Sequence, residues 1–316
     1  MPASEYFAAP GLSQSAMKDL AVSPLRYWHL HVNPDRPPDE PTSEMQFGQA
    51  LHCAVLEPRE FSVRYCQALD RDDIEGCLET MEDIRGWLHD RGIKPKGTKK
   101  ADVIRQAVEV NPDVPIFEMI RREHYARNSG KTMLTKAIWE RVTRAADSLL
   151  SEPRVREILS EGQPEVCVFR KDEETGVLLK GRLDWVSPKM TVDPKTFSQK
   201  RGKSIDKSIA DAIFYEGYYL QAFFYALLRG WPLDWRGDHV MPFVESEEPH
   251  EVRIKVLRAT TAGQPNLYWE RARLECRELI RLYAECASKF GFGKTPWRYA
   301  QEMDALMDEE LPGMIF

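Results

Sequence analysis

A chain of 316 residues, 42% hydrophobic and 30% charged, can bury a sizeable core as one large domain or as a domain with an insert. No window reaches the length of a membrane span, and the opening MPASEYFAAP lacks the basic start and apolar run of a signal peptide, so the cytoplasm is the expected compartment. A net charge of -6 argues against a protein that coats nucleic acid over its whole surface, and six cysteines without a CxxC pair give neither a zinc knuckle nor a disulfide framework.

Residues 11–27, GLSQSAMKDLAVSPLRY, read as a short helix capped by Ser13, with Met17 and Leu20 on its apolar face and a stop before Ser23-Pro24. The proline-rich stretch 33–43 is a connector. A helix is expected over Glu44 to Phe61, with Phe47, Leu51 and Val55 in one stripe and small Gly48 and Ala50 permitting close packing. His52 lies beside that stripe, where an isolated histidine is ordinarily a core residue bonded to a backbone carbonyl. An acidic loop, 70–77, precedes a helix-turn-helix unit over 78–110, with Met81, Ile84 and Leu88 in one stripe, Gly92 as the stop, and Val103, Ile104 and Val108 in the second. Its turn is basic: Lys94, Lys96, Lys99, Lys100 and Arg105 stand against Asp102 alone. Gly92-Ile93-Lys94 and Gly97-Thr98-Lys99 resemble a SAP-type DNA-binding motif, whose lysines would contact phosphates without reading sequence; a helical insert with a solvated lysine loop is the other reading.

After a connector at 111–118, helical patterns run over 118–127 and 132–150. Gly130-Lys131-Thr132 is no phosphate-binding loop, because the glycine required five positions earlier is Tyr125. Glu165 opens an alternating strand. The next strand carries Lys180, Arg182 and Asp184, a turn follows at Ser187-Pro188-Lys189, and a second strand from Met190 to Thr196 sets Asp193 and Lys195 on one face. Two carboxylates and an ammonium converging at strand ends suit magnesium-dependent phosphodiester hydrolysis, the alternative being a solvated hairpin. Pro194 removes a ladder donor from that strand. Lys200, Arg201, Lys203 and Lys207 make the departing loop basic and able to guide a DNA backbone. One aromatic-rich helix is expected over Ala210 to Leu228, with Gln221 and Tyr225 on a shared face. Strands at 239–244 and 251–256 and a long helix over 264–290 follow, then a tail with Pro296-Trp297 and an apolar LPGMIF end that could dock on the body or on another subunit.

Jointly, Leu12-Ser13-x-Ser15 with its helix, Phe47-Gly48-x-x-x-His52-x-x-x-Leu56-Glu57-Pro58, the Lys180-Gly-Arg-Leu-Asp184 run, Asp193-Pro194-Lys195 and Gln221-x-x-x-Tyr225 resemble the PD-(D/E)xK nuclease superfamily. The likeness is to its RecB-like branch, and there to the RecE (exonuclease VIII) type of phage and prophage exonuclease. Ser23 stands where the iron-sulfur members have cysteine, which argues against a cluster. The resemblance implies an α/β (α+β) core, a mixed central sheet flanked by helices, with residues 1–77 and 117–316 forming the nuclease and 78–116 a helical insert. It implies that His52, Asp184 and Asp193, with the Pro194 carbonyl as a further donor, ligate one or two Mg2+ ions, Mn2+ being possible. Lys195 would orient or help deprotonate the attacking water, Glu165 would complete the shell, and Gln221 and Tyr225 would position the site or the DNA. It further implies a ring-forming enzyme that degrades linear double-stranded DNA from 5′ ends to 5′-mononucleotides and works with a RecT-like single-strand annealing protein in recombination. Lys94, Lys96, Lys99, Lys100, Lys200, Arg201 and Lys203 are the candidate DNA contacts. Another RecB-like endonuclease or single-strand nuclease, and a non-catalytic DNA-binding protein, are the alternatives.

Overall fold

Ser13 and Ser23, each followed by an apolar-periodic run, start the second and third helices through their hydroxyls; the computed structural model describes residues 1–37, 41–230, 237–261 and 263–298. The opening helices are α1 (Ala3–Ala8), α2 (Gln14–Val22) and α3 (Pro24–His31). Met17 and Leu20 of α2 are fully buried, as their spacing predicts. Thr42 caps α4 (Ser43–Leu56), which buries Phe47, Leu51 and Val55. The helix expected to run on to Phe61 breaks at Glu57, because Pro58 has no N–H to continue it, and α5 (Pro58–Arg64) begins there. Ala50 is fully buried as expected, but Gly48 is not a packing glycine: a Cβ at Gly48 would meet nothing within 4 Å.

Next come β1 (Tyr65–Gln67), α6 (Met81–His89), α7 (Lys100–Val110), α8 (Phe117–Arg127) and β2 (Thr132–Leu134). Helices α6 and α7 share a hydrophobic cluster of their own, with Ile84 and Leu88 against Val103, Ala107 and Ile116. Thr132 does not begin a helix. Residues 132–134 pair in parallel with β1, a long-range contact that no local pattern announces, and Thr135 caps α9 (Lys136–Ser151). Then α10 (Pro153–Ile158) leads to β3 (Gln163–Lys171) and β4 (Leu178–Val186).

The strand expected over 190–196 is interrupted. Its halves, β5 (Met190–Val192) and β6 (Lys195–Phe197), keep one register against the later strand β7 (Asp238–Glu245), Val192 opposite Val240 and Lys195 opposite Phe243. Asp193 N–H still donates to the Val240 carbonyl at 2.9 Å, and Pro194, lacking a donor, makes the gap. The single helix expected over 210–228 is likewise two, α11 (Ile205–Tyr215) and α12 (Tyr218–Leu228), divided at Gly217, whose φ of +65° is open to glycine at little cost. The chain continues through β8 (Val252–Leu257), β9 (Thr260–Thr261), β10 (Gln264–Pro265) and α13 (Leu267–Phe290), the last capped by Asn266.

The main sheet runs β3, β4, β5 with β6, β7, β8; the β5/β6–β7 contact is parallel and the others antiparallel. It is a mixed, open α/β sheet buried on both sides. Met241 and Phe243 enter the cluster built by α2, α12 and α13, whereas Val244 enters the one built by α4 and α9, as alternation along a strand requires. Nine of the eleven residues of α12 are buried, which explains a composition that is apolar and aromatic except at Gln221. Trp297 is fully buried and stacks on Tyr27, tying the end of the described chain to α3; the LPGMIF segment lies outside the described residues. All six cysteines are free, and no described helix is long and apolar enough to cross a membrane.

Candidate active site

Register assembles the site. Trp185 pairs with Val192, so Asp184 on β4 falls opposite Asp193 at the Pro194 gap; Pro164 pairs with Trp185 and Val166 with Leu183, so Glu165 on β3 falls opposite Asp184. Three carboxylates therefore occupy one row across β3, β4 and the break between β5 and β6. His52 reaches this row from α4, with its Nδ1 3.3 Å from Asp184 Oδ2. Its partner is thus a carboxylate and not the backbone carbonyl of an ordinary core histidine. His52, Asp184 and Asp193 each offer a donor atom, all within 4.8 Å of one another, the arrangement of a metal-binding triad.

Asp193 has no exposed surface, and neither of its carboxylate oxygens accepts a well-formed hydrogen bond; Lys195 Nζ sits 2.7 Å from Oδ2 as its ion partner. Burial and the Asp184 charge push the Asp193 carboxyl up to about 7, against the pull of Lys195. Burial also acts upward on Asp184, but His52 and Lys195 outweigh it and hold that carboxyl below the usual range. Burial alone would lower His52 and Lys195; Asp184 and Asp193 raise both. Two largely buried carboxylates side by side repel each other even with Lys195 beside one of them, and two carboxylates with one imidazole are the donor set of a hard divalent cation. The residues fit such an ion.

Glu165 lines the same cleft but stands outside the triad. Its carboxylate is 2.8 Å from Arg182 Nε, and burial and Asp184 raise its proton affinity while Arg182 opposes them. Its φ of +57° is strained for a residue with a Cβ, by about 1–2 kcal/mol, and such strain concentrates at functional positions. Gln221 Nε2 donates to the Tyr225 hydroxyl at 2.9 Å, and that hydroxyl reaches the Arg182 carbonyl at 3.5 Å. Burial, then Asp184 and Asp193, raise Tyr225 well above an ordinary phenol. The cleft, of about 600 Å³, is walled by Ser13, the cap of α2, and Ser15 within it, Gly48 and His52 from α4, Arg64, and the β4 residues Arg182 and Asp184. Gly48 leaves room there where a side chain would intrude.

The lysines of the α6–α7 unit stand apart from the cleft lining, and Lys100 pairs with Glu118 at 3.3 Å. Lys203 is held by Asp211 at 2.5 Å, whereas Lys200 and Arg201 are exposed on the loop leaving β6. Three features escaped the sequence reading. The Arg182–Glu165 pair required the β3–β4 register. Buried Lys180 donates to the carbonyls of Tyr6, Phe7 and Ala9, fastening α1 over the cleft. Tyr218 places its ring centroid 4.6 Å from Lys195 Nζ, a contact whose only local signal is the glycine before it.

The profile of the PDDEXK-like domain of unknown function (DUF3799) matches residues 13–290. The chain belongs to this family. Among solved structures, this PDDEXK-like protein is similar to a "Putative exonuclease" from Eubacterium rectale, at 14% identity and a TM-score of 0.54, over 100% of this chain and 99% of that one. At that identity the likeness shows the fold. A second structure, SSO0001, aligns over 74% of this chain and 85% of its own at 13% identity and a TM-score of 0.27, too low to carry weight. No curated protein matches. Fold, family and triad together make this PDDEXK-like chain a nuclease-fold protein with a candidate metal centre in its cleft.

Proposed function

We propose that the PDDEXK-like chain is a Mg2+-dependent deoxyribonuclease that degrades linear double-stranded DNA from 5′ ends, releasing 5′-mononucleotides and leaving 3′ single strands for phage-type recombination. The observation that carries the hydrolytic part is the carboxylate row with His52 and Lys195, of which His52, Asp184 and Glu165 line the cleft and Asp193 and Lys195 lie behind them. His52, Asp184 and Asp193 would hold the ion. When bound, it supplies a fixed positive charge that offsets the charge of a phosphodiester and of the water attacking it. Lys195, confined between Asp193 and Tyr218, presents an ammonium beside the same row, where it can orient the water and stabilise charge growing on the phosphate. Arg182 and Arg64 stand on the cleft wall, paired with Glu165 and Glu57, and a neighbouring phosphate would meet the N–H groups those pairs leave over. The Gln221–Tyr225 pair stiffens the wall at the Arg182 carbonyl.

Polarity, processivity, ring assembly, the cytoplasmic setting and a RecT-like annealing partner follow from the RecE-like sequence motifs and belong to the proposal. The test is cleavage of 5′-phosphorylated linear duplex, circular duplex and single-stranded DNA with Mg2+, by the native chain and Lys195→Ala. Mononucleotides from linear duplex alone, lost in the variant, are expected. Cleavage of circles would replace the exonuclease with an endonuclease, and DNA binding without cleavage would remove the catalytic reading.

A further inference from the structure

Lysine carries a flexible four-carbon stem, so a lysine that must meet a reacting group needs something to hold its ammonium in one place. Lys195 is mostly buried, and two groups confine it. One is Asp193, two residues earlier at the break between β5 and β6, 2.7 Å away. The other comes from a different layer of the fold: the Tyr218 ring, whose centroid lies 4.6 Å from Nζ. Within about 6 Å, the negative face of an aromatic ring attracts an ammonium, most strongly where water is excluded.

The ring is itself fixed. Gly217, in the left-handed region, ends α11 and lets Tyr218 begin α12 at the level of β6. Tyr218 then meets Phe243 at 6.1 Å between ring centroids, and Phe243 is the register partner of Lys195 on β7. Sheet, ring and ammonium thus form a closed set, and no side-chain hydrogen bond of the Tyr218 hydroxyl is needed for it.

We infer that Tyr218 is a positioning residue for Lys195, acting through the face of its ring and not through its hydroxyl. This deepens the nuclease reading and rests on it for its kinetic consequence: the ring holds the ammonium at the reacting phosphate, so its loss lowers turnover more than DNA binding.

Two variants separate face from hydroxyl. Tyr218→Leu removes the ring face with bulk retained, and Tyr218→Phe keeps it. With Mg2+ and linear duplex, Tyr218→Leu is expected to lose about 10- to 30-fold in kcat with KM changed less than about twofold. Tyr218→Phe restores most of that loss. Equal damage by Tyr218→Phe and Tyr218→Leu, or full turnover in Tyr218→Leu, would each overturn the assignment. A readout independent of activity keeps this claim separable from the nuclease reading. The ε-methylene protons of Lys195, assigned by NMR through the Lys195→Arg difference, should be shifted upfield by the ring current in the native chain and in Tyr218→Phe, and return to ordinary positions in Tyr218→Leu. Ordinary positions in the native chain would overturn the contact; a native upfield shift without nuclease activity would refute the proposed function and leave the contact standing.

Discussion

Gly181 sits between Lys180 and Arg182 on β4, and what it lacks is as informative as what its neighbours carry. A Cβ there would stand 2.4 Å from Leu228 Cδ1, 3.1 Å from Leu183 Cδ1 and 3.7 Å from Tyr225 Cε1. Carbon atoms in contact prefer about 3.5–4.0 Å, so the first approach is more than about 1 Å too close. Leu228 is buried and cannot simply swing into solvent. Gly181→Ala therefore forces α12 away from β4 at a cost of about 1–3 kcal/mol, the range for overpacking a well-filled core. The same displacement pulls the Tyr225 hydroxyl from the Arg182 carbonyl, a contact already at 3.5 Å. Urea unfolding followed by tryptophan fluorescence should show a lower midpoint at unchanged slope. In a Leu228→Ala background, where space has been opened, the added penalty of Gly181→Ala should shrink towards zero. A change below about 0.5 kcal/mol in the native background, or an equal penalty in both backgrounds, would refute the packing argument.

With divalent cations chelated, thermal stability is expected to fall as pH rises through about 7. Asp193, pushed up to about 7 by burial and Asp184, and His52, lowered by burial but raised overall by Asp184, both hold a proton more tightly folded than unfolded, so their contribution is complete at low pH and lost on ascent. Asp184 is depressed, so its contribution is present above the ordinary carboxylate range and lost only as pH falls through its folded value. Scanning calorimetry across this window should show the slope flattened by Asp193→Asn; stability that rises with pH would contradict the assignment. On the loop after β6, Lys200→Ala and Arg201→Ala should each weaken DNA binding and reduce the slope of log affinity against log salt by about 1. Lys203→Ala should do less, because Asp211 already neutralises that ammonium; equal effects at all three positions, measured by fluorescence anisotropy, would sink this distinction.

Much of the site was legible because its residues sit in short strings. Asp193 and Lys195 are two apart across the Pro194 break, Gln221 and Tyr225 four apart on one helix, and the Phe-Gly run announces His52; His52, Gln221 and Tyr225 line one cleft with Asp184, and buried Asp193 lies behind it with Lys195. The illegible parts depend on register or on tertiary contact. Glu165 meets Arg182 only because β3 and β4 pair as they do, and Thr132–Leu134 is a strand only because Tyr65–Gln67 lies alongside. Pro194 was read as the loss of a ladder donor, whereas the expected helices ran straight through Pro58 and Gly217; each of the three breaks an element that apolar periodicity alone would have carried through. Gly48 shows the converse error: a small residue on an apolar helix reads as a packing position, yet it borders the cleft.

The central claim is that His52, Asp184 and Asp193 form a divalent-metal centre. Calorimetric titration of the native chain with Mn2+ tests it most directly, beside Asp184→Asn, Asp193→Asn and His52→Ala, each checked for a native circular-dichroism spectrum. Saturable binding by the native chain that is lost or weakened at least about tenfold in each folded variant is the predicted result. Absence of binding by the native chain, or binding that survives both carboxylate substitutions unchanged, would contradict the account.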